Sequence, residues 1–172
     1  MLNPLLDTVN FSNKVKQLEL YKLIKYYTDF EKYDKSNIYH CGFCEKDVIG
    51  FKQTLFYNLP DVLIFHFQRK SLGVYNDSII TFPINDYLDL SRFAEDNKTK
   101  NKKYELIGII NFEGNSFTGH YNAFCKNPIK NKWYKFKDNV CFIINNIENE
   151  IDYSNVYAVI YKNIEFNEYK KE

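Results

Sequence analysis

His120, flanked by Gly119 and Tyr121, lies in a stretch rich in apolar residues, and Asp138 follows 18 residues later (138 − 120 = 18). That separation suits two strands folded back on each other, which would bring imidazole and carboxylate together. A histidine oriented by a carboxylate is the base half of a Cys-His-Asp or Ser-His-Asp site. The acid fixes the imidazole tautomer and stabilises the imidazolium that forms when the nucleophile gives up its proton. Gly119 would let the backbone approach a substrate chain closely. A plainer account fits the same residues: a structural histidine in an ordinary core strand.

The cysteines offer two other chemistries. Cys41-Gly42-Phe43-Cys44 has the spacing of a metal knuckle. A structural zinc site needs four ligands, no second pair precedes it, and His40 is badly placed to share an ion with its neighbour Cys41. The expectation is a lapsed zinc turn and no cofactor. Cys125 and Cys141 stand among aromatic and aliphatic residues and read as small buried hydrophobes. His66, alternating with Ile64 and Gln68, reads as a hydrogen-bonded core histidine.

These residues must be carried by elements whose pattern changes along the chain. Val15, Leu18, Leu20, Leu23, Ile24 and Tyr27 recur at spacings of one to three with Lys and Glu between them, so residues 1–30 read as helical. Strand signals follow. Residues 51–58 alternate until Leu59-Pro60 breaks them, and Asp61 to Gln68 is a nearly continuous apolar run, as in a strand buried on both faces. Further strands are predicted at residues 79–84, 104–112, 117–125, 132–136, 140–144 and 156–161, with turn residues such as Glu113-Gly114-Asn115 and Asn127-Pro128 between them. Residues 94–103 read as an exposed polar loop. The fold class is α+β: N-terminal helices, then a mainly antiparallel β-sheet.

Bulk properties narrow the function. The 172 residues suffice for one domain, and 45% hydrophobic with 18% aromatic residues fits a folded chain. A net charge of +1 gives no electrostatic case for nucleic acid or an anionic membrane as partner. No secretory leader and no apolar run of ~18 residues is seen. Four cysteines are too few for a disulfide scaffold, so a reduced intracellular compartment, cytoplasmic or nuclear, is the expectation.

Several motifs, in order, resemble the C-terminal half of the catalytic domain of ubiquitin-specific proteases. Leu59-Pro60-Asp61-Val62-Leu63-Ile64, leading to Arg69, is similar to that family's "LPxvLiihLkRF". Thr81-Phe82-Pro83-Ile84 with Leu88-Asp89-Leu90 resembles "fFPxxLdls", and Tyr104 to Asn111 with Gly114 resembles "YeLyavvnHxG". Gly119-His120-Tyr121-Asn122-Ala123-Phe124 with Trp133-Tyr134-Lys135-Phe136 is similar to the histidine region, "GHYxAyvk…kWyxfdD". Val156 to Tyr161 resembles the closing strand, and Glu31 to Cys44 resembles "E…nxYxCxxC". There are departures. Nothing resembles the nucleophile segment "GLxNxGNTCYxNs". Lys137 stands where the triad acid usually is, so Asp138 would serve only if its turn reaches His120 Nδ1. Phe112 replaces a usual His, Thr118 often corresponds to Gly, and Lys70 stands where the family has Phe.

The resemblance implies a partial domain over residues 1–172. It comprises a helical segment (1–30), a finger-like segment with the CxxC pair (31–58) and a palm sheet with the histidine region (59–165). It implies His120 as general base, Asp138 as orienting acid, and Gly119, Tyr121 and Trp133 beside the substrate. The implied activity is ubiquitin thiolesterase and isopeptidase chemistry, removing ubiquitin from proteins once a nucleophile is supplied by a further lobe or a second chain. A catalytically inactive ubiquitin- or protein-binding pseudoenzyme is the alternative. A zinc-dependent interaction domain unrelated to ubiquitin runs against the order of the motifs.

Overall fold

The computed structural model describes residues 17–34, 38–71, 74–95, 102–114 and 117–166. Its elements, in chain order, begin with β1 (Gln17–Glu19) and α1 (Leu20–Thr28). Short strands follow: β2 (Glu31–Lys32), β3 (Tyr39–Cys41), β4 (Lys46–Val48) and β5 (Phe51–Lys52). Then come β6 (Val62–His66), β7 (Lys70–Ser71), β8 (Val74–Tyr75), β9 (Ile79–Thr81) and β10 (Leu88–Asp89). The long strands are β11 (Lys103–Gly114), β12 (Gly119–Asn127), β13 (Lys132–Lys137), β14 (Val140–Ile144) and β15 (Val156–Asn163).

The main sheet runs β14-β13-β12-β11-β15-β6, with β10 added beside β11, and all of its pairings are antiparallel. One face carries the core. Leu106, Ile109, Phe124, Trp133, Val159 and Tyr161 pack with Leu20 and Ile24 of α1. The helix buries Leu20, Ile24 and Thr28, one residue every four, and turns its lysines outward onto Glu19 and Asp29. Aromatic mass does much of the packing, and the two fully buried tyrosines have their hydroxyls paired. Tyr104 and Tyr161, both fully buried, donate their hydroxyls to the carbonyls of Pro60 at 2.8 Å and Pro83 at 2.6 Å. Burial pushes the Tyr161 phenol far above its ordinary pKa, so it stays a donor.

Several expectations are corrected. Among the described residues one α-helix stands where helices were predicted. Gln17–Glu19 instead pair in parallel with Ile79–Thr81, because Leu18 gains a partner strand opposite Ile80 that a helix would deny it. Residues 1–16, also predicted helical, lie outside the described residues. Residues 51–58 form a strand only at Phe51–Lys52; Phe56 makes an isolated bridge to Ala94. Asp61–Gln68 is not buried on both faces. Val62–His66 is the edge strand beside β15, and Ile64 is 64% exposed. Residues 96–101 of the predicted polar loop lie outside the described residues.

Candidate active site

β12 carries the histidine and the β13–β14 hairpin carries the acid. The register Ala123↔Phe136 through Asn127↔Lys132 draws β13 back along β12, and Lys137↔Val140 closes the next turn at Asp138-Asn139. Asp138 has φ +51°, a left-handed conformation that Asp tolerates better than most residues. From that turn its Oδ1 lies 2.8 Å from His120 Nε2. The predicted contact was with Nδ1. With Nε2–H donated to Asp138, Nδ1 is the nitrogen that presents a lone pair to a nucleophile. Both side chains are more than half exposed, 52% for His120 and 62% for Asp138, so the pair contributes only about 0–1 kcal/mol to stability.

A second charged cluster adjoins the first, and sequence reasoning missed it. Glu113 of β11 stands directly across from His120 in the β11–β12 register. Its Oε2 is 3.1 Å from Lys137 Nζ, and its Oε1 accepts a 2.8 Å hydrogen bond from Asn122 Nδ2. The Lys137 ammonium, more than the Asn122 amide, holds the Glu113 carboxyl below its ordinary pKa against a desolvation penalty that pushes it up. The signal for this cluster was split between two registers: Glu113 faces His120 across β11–β12, and β13 brings Lys137 alongside through its pairing with β12.

The three residues expected beside a substrate have different surroundings. Tyr121 is half exposed and packs at a tilt on Phe112 at 4.9 Å and edge-on against Tyr157 at 5.3 Å. Gly119 is tied to Phe112: a Cβ there would collide with the far carbons of that ring. The Phe112 ring occupies the side of Gly119 that a Cβ would take. Trp133 is 9% exposed and belongs to the core, paired with Lys126 six residues along β12 from His120, so its observed part is packing.

Neither Cys125 nor Cys141 reaches His120. Cys125 is five residues along the same regular strand, roughly 17 Å away and on the opposite face. Cys141 pairs with Phe136, beyond β13. Both are exposed, not buried as predicted. What burial Cys125 has in the sheet raises its thiol pKa, the wrong direction for a nucleophile. His66, expected to be a hydrogen-bonded core histidine, packs edge-on to Tyr157 at 4.5 Å with Nε2 buried and unpaired, and burial lowers its pKa.

Cys41 and Cys44 lie on the turn joining β3 to β4, closed by Glu45 N–H donating to Cys41 O at 2.8 Å. The backbone N–H groups of Cys44 and Phe43 stabilise the Cys41 thiolate and lower its pKa, as a knuckle does. His40 is turned away onto Asp47, 2.9 Å from Nδ1 to Oδ1. Among the described residues no third metal-binding side chain gathers with the two sulfurs, which do not fit a four-coordinate ion. The purified chain should carry well under one zinc per molecule. Elemental analysis finding one tightly held zinc per chain would overturn that expectation.

Comparison with known proteins follows the same outline. A family model described as ubiquitin carboxyl-terminal hydrolase matches residues 7–161. Ubiquitin carboxyl-terminal hydrolase 10 of Arabidopsis thaliana is 29% identical over 168 residues, which are 94% of this chain and 18% of that protein. Ubiquitin carboxyl-terminal hydrolase 15 of Homo sapiens is 34% identical over 125 residues, 70% of this chain and 13% of that one. Among solved structures, the SAGA Ubp8/Sgf11/Sus1/Sgf73 DUB module bound to ubiquitin aldehyde superposes with a TM-score of 0.69 at 28% identity, covering 88% of this chain and 36% of the other. The chain thus spans less than a fifth of these curated relatives.

Proposed function

We propose that this chain, which belongs to the ubiquitin carboxyl-terminal hydrolase family, supplies the base and acid of a cysteine-type deubiquitinase site and one wall of its ubiquitin-tail channel. The observation that carries the reading is the 2.8 Å contact between His120 Nε2 and Asp138 Oδ1 at the end of the sheet, beside half-exposed Tyr121. Nδ1 of His120 takes the proton of a thiol. The thiolate attacks the carbonyl at the ubiquitin C-terminus, and Asp138 stabilises the imidazolium until it protonates the leaving amine. A water then hydrolyses the thioester. The thiolate comes from outside these 172 residues, on a second lobe or chain. Support for such a partner is the apolar row Ile64, Ile160, Gly108, Cys125, Tyr134, Ile143 across one sheet face, whose end residues Ile64 and Ile143 are 64% and 62% exposed. The placement of Cys125 and Cys141 away from His120 favours a second reading, a module that holds ubiquitin without hydrolysing it.

Both readings require a ubiquitin-tail contact. An extended tail gains affinity from backbone hydrogen bonds and aromatic walls, neither of which needs a thiol. With one wall present, the dissociation constant should be on the order of 0.1–1 mM. Titrating labelled ubiquitin with the chain should shift the C-terminal tail resonances, Tyr121→Ala should weaken the shifts, and a ubiquitin–fluorophore conjugate should stay intact. An unchanged ubiquitin spectrum at millimolar protein sinks both readings. Turnover lost on Cys125→Ser or Cys141→Ser would place a nucleophile inside the chain and overturn the two-part site.

A further inference from the structure

We propose that Glu113 is a positioning residue for the His120–Asp138 pair, acting through Lys137, whose ammonium it holds in an ion pair so that Asp138 is left for His120. The inference rests on the reading of His120 and Asp138 given above. Lys137 is the last residue of β13 and the covalent neighbour of Asp138. A lysine has four flexible carbons, and an unpaired ammonium there has two competing places to go. It can pair with Asp138, taking the carboxylate from His120, or stand near the imidazole and disfavour its protonated form. In the structure it pairs instead with Glu113, its Nζ 3.1 Å from Oε2. Glu113 is well placed for this. It faces His120 across the strand pair, and its other oxygen is anchored at 2.8 Å by Asn122, which is 3% exposed. Among the described residues, the charged groups that these contacts bring together are Glu113 from β11, Lys135 and Lys137 from β13, and Asp138 from the turn, with His120 among them, while Lys70 lies over the Phe112 ring. Glu113 retains the lysine without touching the imidazole's partner. The ion pair is itself more than two-fifths exposed at both ends, so it adds little to global stability, and its loss acts locally.

The test uses the 172-residue chain with 15N-labelled histidine, whose ring nitrogens report the hydrogen bond at Nε2 directly; with three histidines, assignment by substitution is simple. Asp138→Asn sets the scale, as the shift of the His120 Nε2 resonance when its carboxylate is lost. Glu113→Gln keeps an acceptor for Asn122 and removes only the charge. It should produce most of the Asp138→Asn shift. Lys137→Met should produce almost none, and the double variant Glu113→Gln/Lys137→Met should return the resonance to its wild-type position. That recovery separates positioning from a merely structural part, because a strand distorted by the loss of Glu113 would remain distorted in the double variant. A Glu113→Gln resonance at the wild-type position, or a double variant still displaced, overturns the proposal. If Asp138→Asn itself shifts nothing, the His120–Asp138 pair fails, and the proposed function falls with it.

Discussion

Arg69→Met should cost the fold about 3–5 kcal/mol, a large part of the ~5–15 kcal/mol that holds a domain together. Arg69 is 2% exposed, and its guanidinium is a hub of backbone contacts. Nε donates to Val156 O at 2.9 Å, Nη1 to Asn76 O at 3.1 Å and Ser78 O at 2.5 Å, and Nη2 to Tyr153 O at 3.1 Å. Two segments far apart in sequence, 76–78 and 153–156, are tied through one side chain. Those carbonyls sit at the entries to β9 and β15, so the hub also sets how the sheet meets the β1–β9 pair. Burial pulls the arginine below its ordinary pKa, while Tyr75, Asp77 and Asp152 pull the other way. Four carbonyls and the nearby Asp77 and Asp152 hold the cation, in a fork geometry only arginine presents. Methionine would keep the stem's volume and leave buried carbonyls without those donors. Arg69→Lys should recover only part of the loss, because one point charge cannot reach acceptors spread along two segments. Urea unfolding followed by far-UV circular dichroism measures both. A Met variant within about 1 kcal/mol of wild type would mean that water replaces the donors and the hub is dispensable.

What could be read in advance depended on whether the deciding contact was local. The strands from Tyr104 to Tyr161 were legible because each alternates or runs apolar between turn residues, and hairpins join neighbours in sequence. The meeting of His120 with Asp138 was legible for the same reason: one turn separates them, Asp138 stands in the next, and each turn leaves a mark. The strand at Gln17–Glu19 was not, because its partner, Ile79–Thr81, is some sixty residues away and only that pairing makes it extended. The exposure of Ile64 was not either; apolar residues show that a face can be covered, not what covers it. Glu113–Lys137 needs two hairpin registers at once, and a one-residue error in either would turn one side chain to the other face.

Gly119 is where a motif residue acquires a different physical reason, and replacing it tests that reason. Gly119→Ala should lower stability by about 1–3 kcal/mol, or roughly 3–10 °C in Tm. The new methyl would meet the outer ring carbons of Phe112, which is 3% exposed. That ring cannot retreat freely: it packs on Tyr121 at 4.9 Å and Tyr75 at 5.8 Å, with Lys70 Nζ 4.2 Å from its centroid. Either the ring is driven into this cluster or the start of β12 lifts off β11, carrying His120 with it. Phe112→Leu removes the ring carbons that collide and should cost about 1 kcal/mol or somewhat more by itself. Combined with Gly119→Ala, it should give back much of the alanine's penalty, a coupling of about 1 kcal/mol or more in a double-mutant cycle. Thermal unfolding of the four proteins reads the coupling, and the 15N resonance of His120 Nε2 reads whether the histidine moves. Additive losses, or a Gly119→Ala chain as stable as wild type, would show that Phe112 does not require the glycine, and the original expectation, room for a substrate backbone, would become the better account.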